Sequence, residues 1–168
     1  MVSEKMTRVA VVMGSDSDLK VMESCVAQLR DLGVEPAVRI ISAHRTPEIA
    51  ADFAQSAQSK GLQVIIAAAG MAAHLAGALA ARAAVPVIGV PLVCEPGLGG
   101  MDALLSTVQM PPGVPVATMG VGKAGAKNAA ILAVQILALQ DVELREKLAA
   151  FRAEQERAVR AKDASISP

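Results

Sequence analysis

The sequence predicts an α/β fold built on a parallel sheet. Three observations carry that expectation. The continuous apolar runs Val9-Ala10-Val11-Val12-Met13 and Val64-Ile65-Ile66-Ala67 suit strands buried on both faces. Segments with helical spacing alternate with such runs. Glycines, prolines and capping residues mark the joins. Alternation at this spacing needs right-handed crossovers, which make the strands parallel.

The elements follow in order. The first strand ends at Gly14, and Asp16, Ser17 and Asp18 offer N-caps for a helix to about Leu32. Leu19, Met22, Val26 and Leu29 keep helical spacing there, and Gly33 suits the stop. A second buried strand is expected over residues 37–41, and Pro47 opens a helix that runs to about Lys60. The third strand covers residues 64–67. The turn Ala69-Gly70-Met71 leads into a helix over about 72–83, and a fourth strand covers 85–90.

Beyond that point the pattern loosens. A Pro/Gly-rich loop spans 91–100, a short helix 101–108, a second loop 111–115 and a fifth strand 116–119. Residues 123–139 read as a helix with little polar surface beyond Lys127, Asn128 and Gln135. A helix apolar nearly all round is buried, here by a subunit interface. The last helix, 141 to about 162, is charged and amphipathic, and residues 163–168 are expected to fray. The whole chain, 1–168, reads as one domain with a core at about 8–139 and a C-terminal helical extension at about 141–162.

Composition excludes several classes. A chain of 168 residues holds one sizeable core and not comfortably two. Hydrophobic residues make up 53%, largely alanine, and Phe53 and Phe151 are the aromatics. Such a core must pack its layers closely or bury surface against other copies. Sixteen basic residues balance sixteen acidic ones, and base-stacking aromatics are scarce, so nucleic acid is not an expected partner. Cys25 and Cys94 make neither a disulfide framework nor a zinc site, which fits reduced thiols in a cytoplasmic protein. Residues 1–7 lack a signal peptide's apolar stretch. The apolar region 64–93 is broken by His74, Arg82, Pro86 and Pro91, so no membrane span is expected.

Ligands of an open parallel sheet bind beyond the carboxyl ends of its strands. Three such ends carry unusual residues: Gly14-Ser15-Asp16-Ser17-Asp18, Ser42-Ala43-His44-Arg45-Thr46-Pro47 and Ala69-Gly70-Met71-Ala72-Ala73-His74. The chain's two histidines fall in two of them. The first turn suits a phosphate cradle, with Asp18 better placed for sugar hydroxyls, and equally suits plain helix capping. In the second, Arg45 fits bidentate phosphate binding and His44 fits proton transfer. The bland alternatives are a surface charge and a structural histidine. His74 either helps hold a ligand or bonds a backbone carbonyl. No third ligand has convincing spacing for a metal shared by His44 and His74.

Five stretches together carry a resemblance: Met13-Gly14-Ser15-Asp16-Ser17-Asp18, Ser42-Ala43-His44-Arg45-Thr46-Pro47, Ala72-Ala73-His74-Leu75, Ser106-Thr107-Val108-Gln109-Met110-Pro111 and Gly113-Val114-Pro115-Val116-Ala117-Thr118. They resemble the PurE family, the N5-carboxyaminoimidazole ribonucleotide mutases of purine biosynthesis, from about Arg8 to Leu139. The resemblance implies a flavodoxin-like three-layer α/β/α fold and a homo-octamer with sites between subunits. It implies that a carboxylate moves from the exocyclic nitrogen to the imidazole carbon without metal or organic cofactor. By position, Ser15, Ser17, Ser42 and Arg45 would hold the 5′-phosphate, Asp18 the ribose, and Ala43 a further part of the substrate. His44 would be the acid/base, and Gly70, Ala73, His74 and Leu75 would line a carbon dioxide pocket.

One stretch departs from the bacterial mutase pattern. Ala68 and Met71 stand where the family usually has glycines, Ala76 where it has proline and Ala78 where it has methionine. A second branch of the family carboxylates aminoimidazole ribonucleotide directly, and tends to carry Lys after the loop histidine and no second histidine. Arg45 and His74 resemble the mutases instead. A nucleotide-binding module without catalysis is the third reading.

Overall fold

The computed structural model describes residues 7–95 and 97–166. Its strands are β1 (Val9–Met13), β2 (Ala37–Ile40), β3 (Val64–Gly70), β4 (Val87–Leu92) and β5 (Ala117–Thr118). All pair in parallel, in the order β2-β1-β3-β4-β5. The helices are α1 (Leu19–Asp31), α2 (Pro47–Ser56), α3 (Leu75–Ala80), α4 (Met101–Val108), α5 (Gly122–Ala138) and α6 (Val142–Ile166). This is the doubly wound, flavodoxin-like order, whose switch point lies between β1 and β3.

Side-chain alternation along the central strands builds two cores. Val9, Val11 and Met13 of β1, with Val64, Ile66 and Ala68 of β3, face α1, α5 and α6. Ala10 and Val12, with Ile65 and Ala67, face α2 and α3. Each central strand therefore needs apolar residues on both faces, which is why its sequence runs without polar breaks.

The structure corrects several expected boundaries. β2 is not a buried strand. It is the sheet edge, pairing with β1, and leaves Val38 and Ile40 exposed in the single chain. Asp18 holds the N-cap position of α1 without a side-chain cap bond, and Ser15 caps the short turn before it. The Ser15 hydroxyl accepts the Ser17 N–H, and the Asp18 carboxylate accepts the Ser15 N–H at 3.1 Å. A 3₁₀ turn over Asp16–Asp18 precedes α1. Gly33 ends that helix at φ +83°, in the left-handed region.

β3 continues through Ala69 and Gly70, which pair with Pro91 and Leu92. The expected turn at 69–71 is thus displaced to residues 71–74, and α3 is shorter than the 72–83 expected. Pro91 lies inside β4, not in a loop. Gly89 turns its carbonyl to Met119 N–H at 2.8 Å on the β5 side, and Pro91, two residues on, turns the same way. β5 pairs with only Ile88 and Gly89, so the missing proline N–H breaks no ladder bond.

The burial of α5 comes largely from its own chain. Ala126, Ala129, Ala130, Ala133, Val134 and Leu137 enter the core, while α6 lays Leu144, Leu148 and Phe151 against the same cluster. Residues 123, 124, 127 and 128 remain exposed. Within the single chain, alanines let α1 and α6 approach closely enough to cover two sides of the helix. Asp141 caps α6 by accepting the Leu144 N–H at 3.2 Å, and accepts Arg8 at 2.6 Å. The helix extends beyond the expected end near 162 to Ile166, and 167–168 lie outside the described residues. The polar start at 1–6 also lies outside them. Among the described residues, no helix is long and apolar enough to cross a membrane.

Candidate active site

The carboxyl ends of β1, β2 and β3 converge on one cavity of about 500 Å³. Ser15, Ser17 and Asp18 line it from the β1 turn, and Ser42, Ala43, His44 and Arg45 from the β2 loop. Gly70, Met71, His74 and Leu75 line it from β3 and the start of α3. Ala73 does not. It is buried, its N–H donating to the Ser106 hydroxyl at 3.0 Å.

The β2 loop holds its own shape. Thr46 accepts the Ser42 N–H at 3.0 Å and donates back to the Ser42 carbonyl at 2.9 Å. The Ser42 hydroxyl accepts the Arg45 N–H at 3.1 Å. With the loop so closed, the Arg45 guanidinium reaches across to the Gly14 carbonyl at 3.0 Å and joins the β1 and β2 ends. Ser17 donates to the Ser15 hydroxyl at 3.0 Å, on the same cavity wall. Two hydroxyls, the Ser42 hydroxyl and one permanent cation thus border the same space, the donor set a phosphate needs.

His44 and His74, thirty residues apart, meet here. His44 Nε2 lies 2.9 Å from His74 Nδ1, with the rings edge to face at 79°. One hydrogen must lie between those nitrogens, so one ring donates while the other accepts. Both side chains remain exposed at the cavity mouth of the single chain. Among the described residues, no group of three or more His, Cys, Asp or Glu gathers as a metal site.

Asp18 sits at the floor, 7% exposed. Loss of water raises its pKa above the ordinary 3.8, and Asp16 pushes the same way. The Ser15 and Gly14 N–H groups and Arg45 pull it back without cancelling that rise. Between the ordinary and the raised value the folded state binds more protons than the unfolded one. Stability therefore falls as pH rises through that window, and the loss persists above it. Asp18→Asn is expected to remove this slope. Urea unfolding of both proteins at a series of pH values should show the difference drifting in the variant's favour across the window, then levelling. A pH-independent difference would contradict the desolvation of Asp18.

Five lining residues, Gly14, Ala69, Met71, Ala72 and Cys94, carried no assigned role, and two of them stand out. Cys94 follows β4, and a Cβ on Gly70 would stand 2.1 Å from its Sγ, so the thiol packs directly on the β3 end. Burial, Asp18 and Asp102 all push that thiol's pKa up. The signal that could have found it is the strand-end rule applied to the fourth strand. Met71 adopts φ +55°, which costs a side-chain-bearing residue about 1–2 kcal/mol. The resemblance to the mutases would put a glycine here, the residue that adopts such a φ without side-chain strain. Cys25, by contrast, is a packing residue on α1, and burial pushes its thiol up to about 12.

Fold and cavity together define the class: a doubly wound α/β protein with a phosphate-suited cavity and an imidazole pair at its switch point. The family model described as AIR carboxylase matches residues 8–158, and the chain belongs to that family, also called PurE. It is 51% identical over 157 residues to the N5-carboxyaminoimidazole ribonucleotide mutase of Pyrococcus abyssi, covering 94% of this chain and 88% of that one. It is 53% identical over 145 residues to the enzyme of the same name from Escherichia coli K12, covering 86% and 85%. Against the Mycobacterium leprae mutase the identity is 50% over 159 residues, covering 95% and 91%. The crystal structure of Treponema denticola PurE superposes with a TM-score of 0.83 at 26% identity, covering 95% of this chain and 98% of that one.

Proposed function

We propose that this chain is an isomerase that moves the carboxylate of N5-carboxyaminoimidazole ribonucleotide from the exocyclic nitrogen to the imidazole carbon. The product is 4-carboxy-5-aminoimidazole ribonucleotide, on the route to purines. Similarity near 50% to enzymes named as mutases, over most of both chains, favours this over direct carboxylation. The single observation that carries the chemistry is the His44–His74 contact at 2.9 Å, set beside the Arg45 and serine cluster.

In this reading Ser15, Ser17, Ser42 and Arg45 hold the 5′-phosphate, and Asp18 accepts from the ribose hydroxyls. The N–C bond to the carboxylate breaks and carbon dioxide leaves, while His44 protonates the departing nitrogen. The ring carbon then attacks the carbon dioxide, and His44 removes the proton from that carbon. Atoms balance, with the same proton site used twice. Ala43 meets a further part of the substrate, and Gly70, His74 and Leu75, with Ala73 behind them, bound the space where carbon dioxide waits. That space must be closed, because a freed molecule recombines only if it is kept in place.

The cavity mouth is open in one chain, and Met71, Leu98, Met101 and Leu105 lie exposed among the apolar side chains of this monomer. A second copy covering such apolar surface supports assembly, as an octamer by resemblance to the family. The sheet core at about residues 8–139 acts as the catalytic unit and α6 as an assembly extension. The enzyme works in the cytoplasm.

Supplying the N-carboxylated nucleotide with labelled bicarbonate tests the reading. The C-carboxylated product is expected to form without taking up label. Label uptake from aminoimidazole ribonucleotide would make the chain a direct carboxylase. Binding without turnover would make it a nucleotide-binding module.

A further inference from the structure

We propose that Ser106 of α4 is a positioning residue for the proton-transfer pair, acting through the backbone of residues 71–74. The proposal rests on the mutase reading for its kinetic arm and on geometry alone for its structural arm.

Ser106 touches none of the cavity, yet its hydroxyl ties α4 to the turn that carries His74. The hydroxyl donates to the Asp102 carbonyl, one helical turn back, at 2.6 Å. Its lone pairs then accept the Ala73 N–H at 3.0 Å. The Met71 carbonyl lies 3.3 Å from the same oxygen, an alternative acceptor for its hydrogen. Thr107, the next residue, is buried, with its hydroxyl 3.5 Å from the Ala73 carbonyl. Both ends of the Ala73 residue thus face hydroxyls of α4.

The turn needs such a hold. Met71 sits at φ +55°, and a side-chain-bearing residue keeps that conformation only when its surroundings impose it. His74 N–H bonds back to the Ala72 carbonyl at 2.8 Å, so the turn is tight and any shift at Ala73 moves the His74 ring. That ring meets His44 at 2.9 Å, where a displacement of about 1 Å breaks a hydrogen bond. α3 begins directly after His74 and cannot absorb the shift.

Ser106→Ala is expected to lower kcat by about tenfold with KM within about twofold of the parent, because phosphate and ribose contacts lie on other loops. In the unliganded protein, ¹⁵N spectra of the imidazoles should show one fixed tautomer for each ring in the parent and averaged signals in Ser106→Ala. Ser106→Thr, which keeps the hydroxyl, should restore both. Unchanged imidazole signals in Ser106→Ala overturn the proposal, whatever kcat does. Failure of Ser106→Thr to restore them, or a parent-like kcat in Ser106→Ala, overturns it too. If the parent itself turns nothing over, the mutase reading falls, and the imidazole spectra still decide the role of Ser106.

Discussion

His44→Asn is expected to lower turnover by about 10²–10⁴-fold while ligand affinity stays near that of the parent. Asparagine approximates the ring in size and offers an amide donor and acceptor. It neither takes nor releases a proton in the reaction. The groups assigned to phosphate lie on Ser15, Ser17, Ser42 and Arg45, and Arg45 is fixed by Ser42 and the Gly14 carbonyl, not by His44. Binding should therefore survive. Calorimetry for affinity and single-turnover kinetics for chemistry separate the two. A parallel loss of affinity would make His44 a ligand-holding group, and full activity would remove it from the mechanism.

The largest effect on stability is expected at Gly125, near the start of α5. A Cβ there would stand 1.6 Å from the Gly120 carbonyl oxygen and 2.6 Å from its carbon. Both atoms are backbone, so no rotamer change relieves the overlap. The chain between β5 and α5 must shift, and α5 carries the alanines that pack beneath β3 and β4. Gly125→Ala should cost about 3 kcal/mol or more, a fall of roughly 10 °C in Tm. Gly77→Ala is the control. Its Cβ meets only the Met110 side-chain end, at 3.0–3.2 Å, which can move aside. Its cost should stay below about 1 kcal/mol. Equal melting temperatures for the two variants would contradict the backbone overlap.

Much of the site was legible from one rule and a few residues. The turns after the first three apolar runs held serines, an arginine and both histidines, and the structure gathers those turns around one cavity. Ala73 was legible only by motif, and in the single chain it lies buried off the cavity lining with its N–H bonded to Ser106 of α4. Nothing local in the Pro/Gly-rich loop sets Cys94 apart as more than a reduced thiol, and it is the strand-end rule applied to β4, together with the Gly70 contact, that places it at the cavity.

The sequence by itself determined the order of strands and helices and which turns line the cavity. Apolar continuity, helical spacing and capping residues are properties of neighbours along the chain, and they read directly from it. Tertiary structure alone decided that β2 is an exposed edge, that Pro91 can sit inside β4, and that α6 covers α5. It also decided that His44 and His74, thirty residues apart, share one hydrogen. The reason is physical. Sheet order and the aim of a side chain across a cavity come from pairings distant in sequence, and no local periodicity records which strand a strand will choose.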